Sequence, residues 1–99
     1  MNREMPPIHP GEILKEMYLD PLGVSISDFG NIIGVARRTV SLIINGHSGI
    51  SAEMALRLSK ALNTTPELWL NMQRDFDISN AAKNAEIFLK DIKSIIPAA

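Results

Sequence analysis

The chain has 99 residues, 45% of them hydrophobic and 21% charged, with 10 Lys and Arg against 11 Asp and Glu for a formal net charge of −1. That length fits one small domain able to bury about 65% of its unfolded surface, and the absence of cysteine excludes a disulfide framework, a thiolate zinc site and a cysteine nucleophile. With neither an early apolar run of signal-peptide type nor a stretch long enough to span a bilayer, the expectation is a soluble, cytoplasmic protein with no membrane role.

Residues 1–7 are polar and proline-containing without periodicity, and read as a flexible N-terminal arm. A first helix should open near Pro10 and carry Ile13, Leu14, Met17 and Tyr18 on one face, with Asp20-Pro21 expected to stop it and Leu22-Gly23 to turn the chain. Ser25 followed three positions later by Asp28 resembles a capping box, starting a second helix at Ile26 with Phe29 and Ile33 on one side. Gly34 ends that helix in the left-handed region that glycine enters most freely, and Val35 plugs the turn beneath it.

The third helix, through Asn45, turns Val40, Ile43 and Ile44 toward Phe29 and Ile33, while Arg37, Arg38, Ser41 and Asn45 fall largely on other faces. Gly30, four residues before Gly34, lies where the two helices must cross closely. A short helix, a glycine turn and a second helix opening on two arginines form a helix-turn-helix, whose second helix is presented to the major groove of DNA.

After a glycine-rich loop over residues 45–49, Ser51 caps a helix with Met54, Ala55, Leu58 and Leu62 inward, and Asn63 reads as its left-handed stop. Thr64 or Thr65 caps the next, with Pro66 in its first turn and Leu68, Trp69, Met72 and Phe76 as its apolar set. Residues 77–80 read as a turn, and a last helix over 81–96 carries Ala85, Phe88, Ile92 and Ile95 before Pro97. The fold expected is all-α: a five-helix bundle containing the helix-turn-helix over residues 8–78, and a C-terminal helix within 79–99. That last helix has little of the bundle left to cover it, so Ala85, Phe88, Ile92 and Ile95 are the candidate dimerisation face.

The near-neutral charge argues against a nonspecific coat for nucleic acid, which needs a strong positive excess. Between Gly34 and Thr65, however, Arg37, Arg38, Arg57 and Lys60 stand against Glu53 alone. A local surplus this small predicts weak binding by a monomer, hence a homodimer that doubles the contacts.

Three segments together carry a family resemblance: His9-Pro10-Gly11-Glu12-Ile13-Leu14, the run from Gly34 to Gly46, and the block from Thr64 to Gln73 reading TTPELWLNMQ. Over residues 8–78 the chain resembles the HigA (VapI-type) antitoxins, which are Cro/repressor-like helix-turn-helix proteins of the XRE family. The resemblance implies two partners beyond a second copy, double-stranded operator DNA and a HigB-type endoribonuclease toxin that the antitoxin masks while repressing the operon encoding both. It also places base-reading side chains at Arg37 and Arg38. One of the two is expected to fork onto a guanine, worth about 1–3 kcal/mol of discrimination, and the other to clamp a phosphate.

Thr39 and Ser41 are hydroxyl candidates for phosphates or base edges, Ser25 and Ser27 for a phosphate at the first helix of the motif, and Asn45 for backbone or for helix termination. Two departures from the family pattern stand out. Ala36 replaces the usual Ser or Thr cap, forgoing about 1 kcal/mol, and Leu42 sits at a groove-facing position where a polar residue is usual, either to meet a thymine methyl or to bury against a neighbour.

His9 and His47 are far apart and without cysteine, so a helix cap for the first and a loop or phosphate contact for the second are favoured over a metal site. Trp69 and Phe76 read as core ahead of interface. No nucleophile, base and orienter converge, and no phosphate loop follows a strand, so neither an enzyme nor a cofactor is expected. The competing readings are a stand-alone transcriptional repressor without a toxin, and a protein-interaction module that has lost DNA binding.

Overall fold

A computed structural model describes residues 6–98, and among these the chain forms six helices and no strand. Helix α1 covers residues 10–22 in three consecutive stretches: α-helical Pro10–Ile13, π-helical Leu14–Leu19 and α-helical Asp20–Leu22. It is followed by α2 (Ile26–Ile33), α3 (Arg37–Ile44), α4 (Ala52–Leu62), α5 (Pro66–Ala82) and α6 (Ala85–Leu89). The arm expected over residues 1–7 lies outside the described residues except for Pro6 and Pro7.

Local sequence accounts for most helix starts. Ser25, Ser51 and Thr65 each accept a hydrogen bond from the backbone N–H three residues on, and the His9 ring accepts one from Gly11. Each such cap contributes about 1 kcal/mol by satisfying a donor the helix leaves unpaired. Left-handed residues end three helices: Gly23 (φ 68°), Gly34 (φ 78°) and Asn63 (φ 56°).

One core joins them. Leu14 and Leu19 of α1, Phe29 and Ile33 of α2, Val40 and Ile43 of α3, Met54, Ala55 and Leu58 of α4, and Trp69 of α5 are all buried, with Ile50 closing the loop between α3 and α4. Trp69 lies fully inside, beside the Tyr18 ring, and its indole N–H donates to the Thr64 hydroxyl at 2.8 Å. Thr65 is the cap and Thr64 the partner of the buried indole, so the two threonines divide the roles.

Three boundaries differ from the sequence expectation. Helix α1 does not stop at Asp20-Pro21 but runs to Leu22. A proline has no N–H for the preceding turn and crowds its carbonyl, and the wider π turn just ahead, where the Asp20 N–H reaches the Lys15 carbonyl, accommodates it. Residues 77–80 are not a turn but part of α5, because no glycine or proline interrupts them and the Gln73 amide bonds the Asp77 carboxylate one turn on at 2.9 Å. The last helix is not 81–96 but the five residues of α6. Its Asn84 side chain gives no cap and the residues beyond are exposed, and a short helix without tertiary cover is marginal in water.

Candidate nucleic-acid interface

Helices α2 and α3 cross at Gly30, where a Cβ would stand 2.9 Å from the Val35 carbonyl oxygen and 3.5 Å from the Arg37 nitrogen. The chain can turn this tightly only because that position has no side chain. The Val35 N–H returns to the Gly30 carbonyl at 2.9 Å, as does that of Gly34 at 2.8 Å, and Val35 packs half-buried on the core. The turn is also held from α4. Arg57 donates to the Ile33 carbonyl and grips the Glu53 carboxylate at 2.9 Å, which places a guanidinium at the negative end of α2. Arg57 therefore belongs to the brace, and the local positive surplus at the presented face comes down to Arg37 and Arg38.

With Val40 and Ile43 buried and Ile44 packed against the core, the opposite face of α3 is offered outward. At 100° per residue, positions 37, 38, 41, 42 and 45 share an arc of about 140°. Arg37, Arg38 and Asn45 are exposed, Ser41 and Leu42 are half-buried, and Thr39 lies half-buried at the flank of this face. Neither arginine forms an ion pair among the described residues. Ala36 starts α3 with no side-chain cap. The Asn45 amide donates to the Ser41 hydroxyl at 3.2 Å, so these two form a ridge along the face. Leu42 does not join the side chains packed on the core. Ser25 and Ser27 are exposed at the start of α2, with Ser25 already accepting from the Asp28 N–H at 3.0 Å.

The C-terminal end of α3 is held by Gly11 and Gln73, which the sequence reading did not single out, and by His9, which is the helix cap expected of it. Gly11 of α1 meets the last turn of α3 so closely that a Cβ there would lie 1.8 Å from the Ile43 carbonyl oxygen. Gln73 of α5 accepts the Ile50 N–H at 2.8 Å and lies under Gly49. His9 accepts the Gly11 N–H at 2.9 Å and stands edge-on to Phe76 with ring centres 4.8 Å apart. Desolvation holds its pKa below the usual histidine value of 6.5, against the opposing pull of Asp77, the Ser48 backbone and Glu12. Sequence signals for two of these existed: Gly11 is a glycine inside a helix with no turn to justify it, and Gln73 interrupts the Trp69 and Phe76 face at helical spacing.

The candidate dimerisation residues separate from one another. Ala85 and Phe88 lie on α6, but Ile92 and Ile95 fall beyond its end, so the four form no single helical stripe. Phe88, Ile92 and Ile95 are 53%, 65% and 93% exposed. No group of three His, Cys, Asp or Glu side chains suited to a metal ion occurs among the described residues, and none of their helices is long and apolar enough to cross a membrane.

Comparison with known proteins places this geometry. Residues 14–70 match the Helix-turn-helix family model. An uncharacterized HTH-type transcriptional regulator of Haemophilus influenzae is 42% identical over 93% of this chain and 85% of its own length. Antitoxin GraA in complex with its operator superposes with a TM-score of 0.85 at 40% identity, covering 98% of this chain and 99% of that one. The Pseudomonas aeruginosa antitoxin HigA with the higBA promoter gives 0.83 at 32% identity, over 91% and 99%. These relatives are regulators and antitoxins, not enzymes.

Proposed function

The chain belongs to the HigA (VapI-type) antitoxins of the helix-turn-helix family, and on that premise we propose that it binds operator DNA as a homodimer in the cytoplasm, represses its own operon and neutralises a HigB-type toxin encoded beside it. The observation that carries the DNA reading is the outward face of α3, which opens with exposed Arg37 and Arg38 on a helix braced at both ends. One arginine forks onto a guanine and the other clamps a phosphate. Ser41, Asn45 and Thr39 add polar contacts, and Leu42, lying outside the packed core, meets a thymine methyl. Ser25 and Ser27 approach a phosphate at the start of α2.

Dimerisation supplies what the nearly neutral chain lacks, two arginine pairs on successive major grooves about 34 Å apart. The exposed Phe88, Ile92 and Ile95, with Ala85, supply apolar surface for it. Gel shifts on the protein's own promoter test the DNA reading. Arg37→Ala and Arg38→Ala should each weaken binding, and affinity should fall steeply with salt. Unchanged binding by both variants would remove the reading head. Co-purification with the product of the neighbouring reading frame tests the toxin, and a failure of the two to associate would leave a stand-alone repressor.

A further inference from the structure

The side chain of Gln73 makes a pair of hydrogen bonds that the proposed DNA contacts do not use. Gln73, in the middle of α5 and 23 residues from its partner, accepts the Ile50 N–H at 2.8 Å through its side-chain oxygen. Its amide nitrogen is in turn held by the Asp77 carboxylate at 2.9 Å, which fixes which end of the amide faces the loop. The same side chain fills the space under Gly49, where a Cβ would come within 3.0 Å of it. Ile50 is buried and immediately follows the exposed loop that leaves α3. A half-buried N–H left without an acceptor is unfavourable, so this bond sets where the loop sits.

Resting on the DNA-binding reading above, we propose that Gln73 is a positioning residue for operator recognition, acting through the 45–50 loop to fix the tilt of α3. Helix α3 has only eight residues, so its axis is about 12 Å long. A shift of about 1 Å at its C-terminal end therefore turns the arginine-bearing end by an amount comparable with the tolerance of a bidentate base contact. Phosphate contacts tolerate such a turn because charge attraction falls off slowly with distance. Gln73 thus serves the discrimination between sequences rather than affinity for duplex as such.

The test is a binding ratio: affinity of the full chain for its own promoter against a scrambled duplex of equal length, at fixed salt and well below each variant's melting point. Gln73→Met keeps the length and loses the acceptor. It should lower promoter affinity about tenfold, the size of one misread base pair, and change scrambled binding less than about twofold. The exchange Gln73→Glu with Asp77→Asn keeps an acceptor for the Ile50 N–H and reverses only the bond between positions 73 and 77, and should keep the ratio at its wild-type value. Gly49→Ala presses on the same side chain from the loop and should lower the ratio about threefold, which keeps the test open should Gln73→Met fail to fold. Parallel weakening on both duplexes, an unchanged ratio in folded Gln73→Met or Gly49→Ala, or a lowered ratio in the exchanged pair would overturn the role. A wild-type chain that does not prefer its promoter would instead overturn the DNA reading, and this role with it.

Discussion

Substituting Gly11 with alanine should destabilise the fold, against the usual trend. Within a helix, Gly→Ala ordinarily stabilises by about 0.5–1 kcal/mol, because alanine loses less backbone entropy and is the better helix former. Here the new methyl would sit 1.8 Å from the Ile43 carbonyl oxygen and 2.6 Å from its carbon. Ordinary van der Waals contact begins near 3.4 Å, so the two helices must part by roughly 1.5 Å. The obstacle is backbone at the last turn of α3, which cannot rotate away as a side-chain end would. Overpacking of this kind costs about 3 kcal/mol or more. Set against the intrinsic gain, the net loss is about 2 kcal/mol, or a melting point lower by roughly 8–16 °C for a domain of this size. Thermal unfolding followed by circular dichroism at 222 nm measures it. A Gly11→Ala chain that melts at or above wild type would refute the close packing of α1 on α3. Gly23→Ala is the control: nothing lies within 4 Å of that position, so only its φ of +68° opposes the substitution, at about 1–2 kcal/mol.

Three further outcomes follow from the same contacts. His9 has a folded-state pKa below its unfolded value of 6.5, so the folded chain disfavours the proton. Its contribution is complete above pH 6.5 and is lost as pH falls from there through the lowered folded pKa, and a pH series of urea midpoints should show that slope flattened in His9→Asn. Arg57→Ala should cost about 1.5–3 kcal/mol because it uncovers the Ile33 carbonyl at the end of α2, whereas Glu53→Ala removes only a surface partner worth at most about 1 kcal/mol. Equal losses in chemical denaturation would contradict that division. Removing residues 85–99 should leave the bundle folded and shift a dimer to monomer in sedimentation, since residues 86–98 are exposed and Ala85 is only half-buried; a truncated chain that remains dimeric would clear this segment of the role.

Much of this architecture is legible in the sequence because its determinants are local. A capping serine, a left-handed glycine and an apolar spacing of three and four act within one or two turns, and α2, α3 and α4 follow from such signals almost residue for residue. Where the reading failed, a local signal was outweighed. Asp20-Pro21 reads as a stop, but buried Leu14 and Leu19 hold α1 through it and a π turn absorbs the missing donor. Asp, Ser and Asn between 77 and 80 read as a turn, yet they are tolerated in an exposed helix that nothing obliges to bend. Beyond Leu89 the apolar spacing is helical and the helix is absent, because periodicity predicts a helix only where something covers its apolar side.

The brace of α3 illustrates what one sequence conceals most thoroughly, a contact between segments distant along the chain. His9 and Gly11 come from the HPGEIL block and Gln73 from the TTPELWLNMQ block, and both converge on the C-terminal end of the reading helix. Neither block supplies a residue to the outward face of α3. They hold the scaffold under α3, and the proposed DNA contacts Arg37, Arg38, Ser41, Leu42 and Asn45 lie outside it. On the proposed DNA reading, bracing and sequence preference thus rest on different residues. Substituting those five positions should therefore change the preferred operator with little change in melting temperature, whereas Gly11→Ala should lower melting temperature and affinity together.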